Sequence, residues 1–302
     1  MPRPVPRYLQ ATLALLVFAV ACSSEPNFGP GDEQESRYGD VVFMITQKGL
    51  DQGSPVRVVA AFVDHLRISA SASTRLLRLP VHDLPLDLRT DQCRVERYDL
   101  AELAAVDPDQ VWIQLQDIGH LEVQSETQIA QLDHEEFPDL FPFIAGVTYR
   151  TRTGSGLRYV PGTLYQLIGQ GNERVAAFRA SVRAPEEFRI LAAGFTGNEN
   201  GNSEPRLRSL SVRWDSGRTT NATLFQIKLT ISRSDRVTTL SCRVADDGVF
   251  DIPASHLAEL RRAGTEAQLV LRRVNLAKLN VGDSQQSRVA FVVEREQRLT
   301  LP

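Results

Sequence analysis

Five hard oxygen donors crowd one short stretch: Asn198, Glu199, Asn200, Asn202 and Glu204. Calcium favours oxygen-rich loops of this kind. The order is not that of an EF-hand, because Gly201 comes fourth in the run rather than sixth, and amides bind calcium more weakly than carboxylates. The stretch is a weak calcium candidate inside what otherwise reads as a linker. The five histidines, His65, His82, His120, His134 and His256, form no HxH or HExxH, and no CxxC occurs. No metal centre and no cofactor are expected from these spacings. His134 beside Glu135 and Glu136 reads as a solvated loop, and His256 as a packing residue of a short helix.

Nucleophile motifs are equally scarce. Gly154-Ser155-Gly156 lacks the spacing of a nucleophile elbow. Gly169-Gln170-Gly171 is too short for a dinucleotide fingerprint, and no helical pattern follows it. A triad of scattered Ser, His and Asp is recognised by geometry rather than order, so a hydrolase is the least favoured reading and no catalytic residue is assigned. Trp112 is the most informative side chain. If Val111, Ile113 and Leu115 face a core, Trp112 shares the outer face with Gln114 and Gln116. An aromatic flanked by amides suits a flat sugar- or protein-binding surface; packing under a loop is the plainer alternative.

Composition narrows the partners. The chain carries 34 basic and 37 acidic residues, a formal charge of −3. That balance lacks the basic footprint of a nucleic-acid binder. Lys48, Lys228 and Lys278 are the only lysines. Arginine pairs such as Arg261-Arg262 and Arg272-Arg273 therefore read as codon usage and solvated faces rather than as an anion site.

The elements that must position these residues are short strands. Val41–Ile45, Val56–Val63, Cys93–Tyr98, Val111–Gln116, Leu121–Ser125 and Thr127–Leu132 are apolar or alternating. Asp133–Pro142 reads as an acidic, aromatic loop. Leu210, Val212 and Trp214 alternate; so do Phe225, Ile227, Leu229 and Ile231, and then Leu240, Cys242 and Val244. Asp246-Asp247-Gly248 supplies a tight turn. Pro253 opens a short helical pattern through Leu257 and Leu260. Strands at this density predict an all-β sandwich or barrel. The reading is two tandem immunoglobulin-like β-sandwich domains, 40–192 and 206–302, joined by a linker at 193–205.

The N-terminus is separate. Arg3 and Arg7 precede the apolar run Leu13–Ala21, which stops at Cys22. That is the layout of an export signal, too short to span a bilayer. It resembles the bacterial lipoprotein signal, in which cleavage precedes a cysteine that then carries lipid. The resemblance implies a signal peptide at 1–21, lipidation at Cys22 and, from Ser23 rather than aspartate after it, the outer membrane. Residues 22–39, polar and rich in Gly, Pro and acid, read as a disordered tether.

The C-terminal block is similar to a pattern in uncharacterised exported bacterial lipoproteins. Trp214, Cys242, the Asp246-Asp247-Gly248 turn, Phe250, Ile252-Pro253-Ala254 and Leu257 to Leu260 carry the likeness, with Gly171, Val175, Phe178 and Ala184-Pro185 before them. The resemblance implies a sandwich and surface anchoring, and no activity. Cys93 and Cys242 each alternate with apolar neighbours and point into a buried face. In separate domains they read as two buried thiols, with a disulfide left open by the oxidising compartment. The expected function is a membrane-anchored, non-catalytic envelope binding or assembly module, whose partner is an envelope protein or a glycan. Carbohydrate or cell-wall binding through Trp112 is the alternative.

Overall fold

A computed structural model describes residues 38–46, 54–66, 84–99, 113–136, 144–152, 154–196, 209–216, 223–281 and 287–302. In chain order the strands are β1 (Tyr38–Thr46), β2 (Arg57–Leu66), β3 (Gln92–Asp99), β4 (Ile113–Leu115), β5 (Leu121–Gln124) and β6 (Ile129–Glu136). Then come β7 (Ile144–Ala145), β8 (Val147–Thr151), β9 (Leu164–Gly169), β10 (Phe178–Arg183), β11 (Ile190–Thr196) and β12 (Ser209–Trp214). The last are β13 (Thr223–Ser232), β14 (Arg236–Val244), β15 (Val249–Ile252), β16 (Glu266–Lys278) and β17 (Arg288–Thr300), with the helix α1 (Ala254–Ala263) between β15 and β16. The fold is all-β. Tyr38 and Gly39, which the sequence assigns to the tether, are the first residues of β1. The leader and Cys22 lie outside the described residues.

The large sheet runs β10-β9-β5-β6-β8-β2-β1-β17-β16-β13-β14-β3, with β4 beside β2 and β7 beside β4. β11, β12 and β15 make a second, small sheet. Pairing does not follow the expected division at 193–205. β1 lies parallel to β17, Phe43 opposite Phe291, and β3 lies antiparallel to β14. Strands from both sides of that segment share one sheet, and Glu35–Pro302 form one compact unit. Alternation records which face a residue shows, but not which strand lies beside it.

The sheet curls so that its edge strand β10 packs on β16 and β17. Asn275 Nδ2 on β16 donates to the Arg183 carbonyl of β10 at 2.9 Å. One core fills the curl: Phe43, Tyr165 and Phe291 are fully buried, with ring centroids 5.0 to 6.0 Å apart. The small sheet faces the large one through Trp214, stacked on Phe225 at 4.5 Å. Such face-to-face packing is that of a β-sandwich.

Cys93 and Cys242 are bridged. This corrects the expectation of two separate thiols. They are register partners between β3 and β14, so the two faces are one face.

The segment from β10 into β11 crosses the core without ladder partners, and side chains replace them. The carbonyl of Pro185 accepts from Tyr159 Oη at 2.6 Å, those of Glu186 and Glu187 from Arg273 Nη1, and that of Phe188 from Arg295 Nε. The Ala184 and Arg189 carbonyls take the backbone N–H groups of Gly162 and Asp215. With Asn275 on Arg183, every carbonyl from 183 to 189 has a donor, as buried backbone requires.

Candidate functional site

A cleft of about 210 Å³ opens beside the end of the β13–β14 hairpin. Three pieces build it. The hairpin turn, closed by Arg233 N–H to the Arg236 carbonyl at 2.8 Å, presents Arg233, Asp235 and Arg236. The edge strand β3 presents Arg97. The last turns of α1 present Glu259 and Arg262. Four guanidinium groups stand against two carboxylates, which leaves an excess of two positive charges.

Local sequence explains each placement. Arg236 and Thr238 are two apart on β14 and share a face. Thr238 lies directly opposite Arg97 on β3. Along that face the rungs run Cys242–Cys93, Leu240–Val95 and Thr238–Arg97. The bridge thus pins the edge strand two rungs from the cleft. α1 starts after Pro253, whose fixed φ suits a helix entrance. Its buried Leu257 and Leu260 hold it over the sheet, next to β14 and β3. Arg261 and Arg262 occupy its last turn, where cations complement the negative helix end.

Inside the cleft, Glu259 Oε1 accepts from Arg97 Nη2 at 2.8 Å. Arg97 is half exposed and Glu259 somewhat less so, and a pair so open to solvent adds little stability; it aims Arg97 along the cleft wall. Thr238 is 1% exposed, and its Oγ1 has no hydrogen-bond partner among the described residues. A buried hydroxyl without a partner costs about 1–3 kcal/mol, so this position holds an unmet bonding capacity at the foot of the arginines. The arrangement can bind an anion through forked guanidinium donors and a neutral hydroxyl. Among the described residues no group of His, Cys, Asp and Glu could hold a metal ion.

Of the residues singled out in the sequence, Gln114 and Gln116 are half-buried, between and beyond the buried Ile113 and Leu115. That alternation is as expected. Trp112, and the weak calcium candidate Asn198, Glu199, Asn200, Asn202 and Glu204, lie outside the described residues. His134 departs from its expected loop: it is in β6, opposite Tyr149. Its acidic neighbour Glu135 pairs with Arg150, and Asp133 with Arg152.

A second polar cluster surrounds Asp117. Its Oδ1 accepts from Tyr149 Oη at 2.7 Å and from Gly119 N–H at 2.9 Å. These bonds, the tyrosine's first, hold the carboxyl below the usual carboxylate range, with smaller help from the charges of His134 and His120. Burial, then the bond to Asp117, pushes the Tyr149 hydroxyl up. That hydroxyl also accepts from Ile118 N–H at 2.8 Å. Tied twice and hard to ionise, Tyr149 fastens a turn and offers no phenolate.

The cleft residues Arg97, Arg233, Arg236, Thr238 and Arg262 were not assigned from sequence. Four are arginines in an arginine-rich chain, and they come from three separate segments. The available signal was Thr238, a hydroxyl on the apolar side of the Leu240, Cys242, Val244 alternation. Compared with known protein families and with curated proteins, the chain matches none.

Proposed function

We propose that this protein is a non-catalytic binding module of the bacterial envelope, exported and anchored by lipid at Cys22, and that its arginine-lined cleft receives an anionic group on its partner. The observation that carries this reading is the convergence of Arg97, Arg233, Arg236 and Arg262 over the unpartnered Thr238 hydroxyl. The site is small, polar and rigidly framed by a disulfide-tied edge, a hairpin and a helix. Binding loops on a rigid β scaffold are a common use of such folds. An immunoglobulin-like reading of residues 206–302 is supported by β12 and β15 facing β13, β14, β16 and β17. The small sheet also takes β11, from before that span.

The test is a thermal shift of the Cys22→Ser form against sulfate, phosphate, citrate and neutral oligosaccharides at constant ionic strength. Binding to the folded state raises the melting temperature. Anions raise it in the parent and not in Arg236→Gln. A shift with neutral glycans alone would replace this reading by binding through the face of Trp112, Gln114 and Gln116. Labelling the full-length protein with a tagged fatty acid tests the anchor: label is lost with Cys22→Ser.

A further inference from the structure

Resting on the anion-binding reading above, we infer that the cleft selects a phosphate monoester in its dianionic state. The charge excess in the cleft is two, so a dianion neutralises it and a carboxylate leaves one cation uncompensated. Guanidinium forks match phosphate oxygens bidentately. Arg97 is already aimed by Glu259 at 2.8 Å, which lowers the ordering cost of binding. A monoester presents three terminal oxygens. Forked arginine donors engage two of them and leave the third for the Thr238 hydroxyl, which has no partner among the described residues. The volume, about 210 Å³, lies below the range of about 300–1,000 Å³ typical of drug-sized ligands. It admits a phosphoryl group with a small carrier, not an extended chain. Such a group is found on soluble sugar phosphates and on the headgroups of some lipids, and the same chemistry recognises both.

Charge state gives the test its sign. The second ionisation of a phosphate monoester lies near pH 6. Binding should therefore weaken about tenfold between pH 7.5 and pH 5, as the dianion is titrated away. Sulfate stays a dianion across that range, so its binding should stay flat with pH.

Calorimetry on the Cys22→Ser protein at constant ionic strength uses inorganic phosphate, glucose 6-phosphate, sulfate and acetate at both pH values. The expected result is phosphate and glucose 6-phosphate binding at pH 7.5, the tenfold loss at pH 5 for glucose 6-phosphate and a larger loss for inorganic phosphate, whose second ionisation lies higher, flat sulfate binding and negligible acetate binding. Arg236→Gln and Thr238→Val should each weaken phosphate at least tenfold, while Arg298→Gln, outside the cleft, changes nothing. Thr238→Val keeps the side chain's shape, and Arg236→Gln alters an exposed position, so one of them reports even if the other perturbs folding. Acetate binding as tightly as phosphate overturns the dianion inference and leaves anion binding standing. No anion binding at all, or binding unchanged in Arg236→Gln, removes both. Vesicles of phosphatidylcholine with and without phosphatidic acid separate the sources. Retention on phosphatidic acid assigns a lipid headgroup; glucose 6-phosphate binding without retention assigns a soluble phosphate; both support the inference.

Discussion

Arg273 grips Asp246 with two nitrogens: Nε reaches Oδ2 at 2.7 Å and Nη2 reaches Oδ1 at 2.8 Å. Both side chains are almost fully buried, 2% and 4% exposed. The guanidinium also lies 5.0 Å from the Phe188 ring centroid. The same carboxylate takes Trp214 Nε1 at 2.8 Å. A single turn acid thus ties the small sheet, the large sheet and the crossing segment together. Removing one partner of a buried pair costs about 3–5 kcal/mol. Asp246→Ala should lose about that much in urea unfolding. Arg273→Lys keeps the charge but loses the fork, and should lose more than about 1 kcal/mol. A Lys variant as stable as the parent would show that charge alone holds the turn.

The disulfide closes a loop of 149 residues in sequence. Chain-entropy arguments give about 4–5 kcal/mol for a loop of that length. Cys93→Ala with Cys242→Ala should lower the unfolding midpoint accordingly. Because β3 is an edge strand with one ladder partner, its amides should lose hydrogen-exchange protection first. Uniform loss across the sheet would mean that the bridge stabilises only globally.

Much of the small-scale pattern was legible in the chain. Leu210, Val212 and Trp214 face inward in β12 as their alternation says, and Phe225, Ile227, Leu229 and Ile231 do so in β13. Gly248 adopts a left-handed φ of 96° in the turn assigned to it. The bridge and the joint sheet were not legible. Cys93 and Cys242 each advertise a buried face, but their meeting depends on β3 docking on β14 from far along the chain. The cleft was hidden for the same reason, since Arg97 meets Thr238 only through that pairing.

Tyr149→Phe removes the bond that most depresses Asp117 and leaves Ile118 N–H without its acceptor. The expected cost at neutral pH is about 1–3 kcal/mol. The sign with pH follows from the lowered carboxyl. Its contribution is present above the ordinary carboxylate value and lost as pH falls through the lower, folded one. Melting curves for parent and variant should run parallel above about pH 5 and converge below about pH 4. Parallel curves throughout would place the tyrosine's effect in packing alone.

Gly146, between β7 and β8, holds φ at 106°. A Cβ there would overlap the Leu115 carbonyl and carbon. Gly146→Ala should therefore displace β4 and lower soluble yield. The control is Gly154→Ala, which shares a positive φ of 85° but would meet nothing within 4 Å. It bears only the cost of its left-handed backbone, about 1–2 kcal/mol. Equal loss in both would assign the effect to φ rather than to the clash.

The parallel pairing of β1 with β17 has a consequence for biogenesis. β1 can pair with β2 as soon as that strand follows it, but its other edge has no partner until β17 has been made. A sheet wired from end to start cannot assemble vectorially, domain by domain, as the chain appears. Its centre is completed only once β17 is present, so the open edge of Tyr38–Thr46 must be kept from wrong pairings until then. A truncation of the C-terminal strand would then strike the earliest part of the chain as hard as the latest.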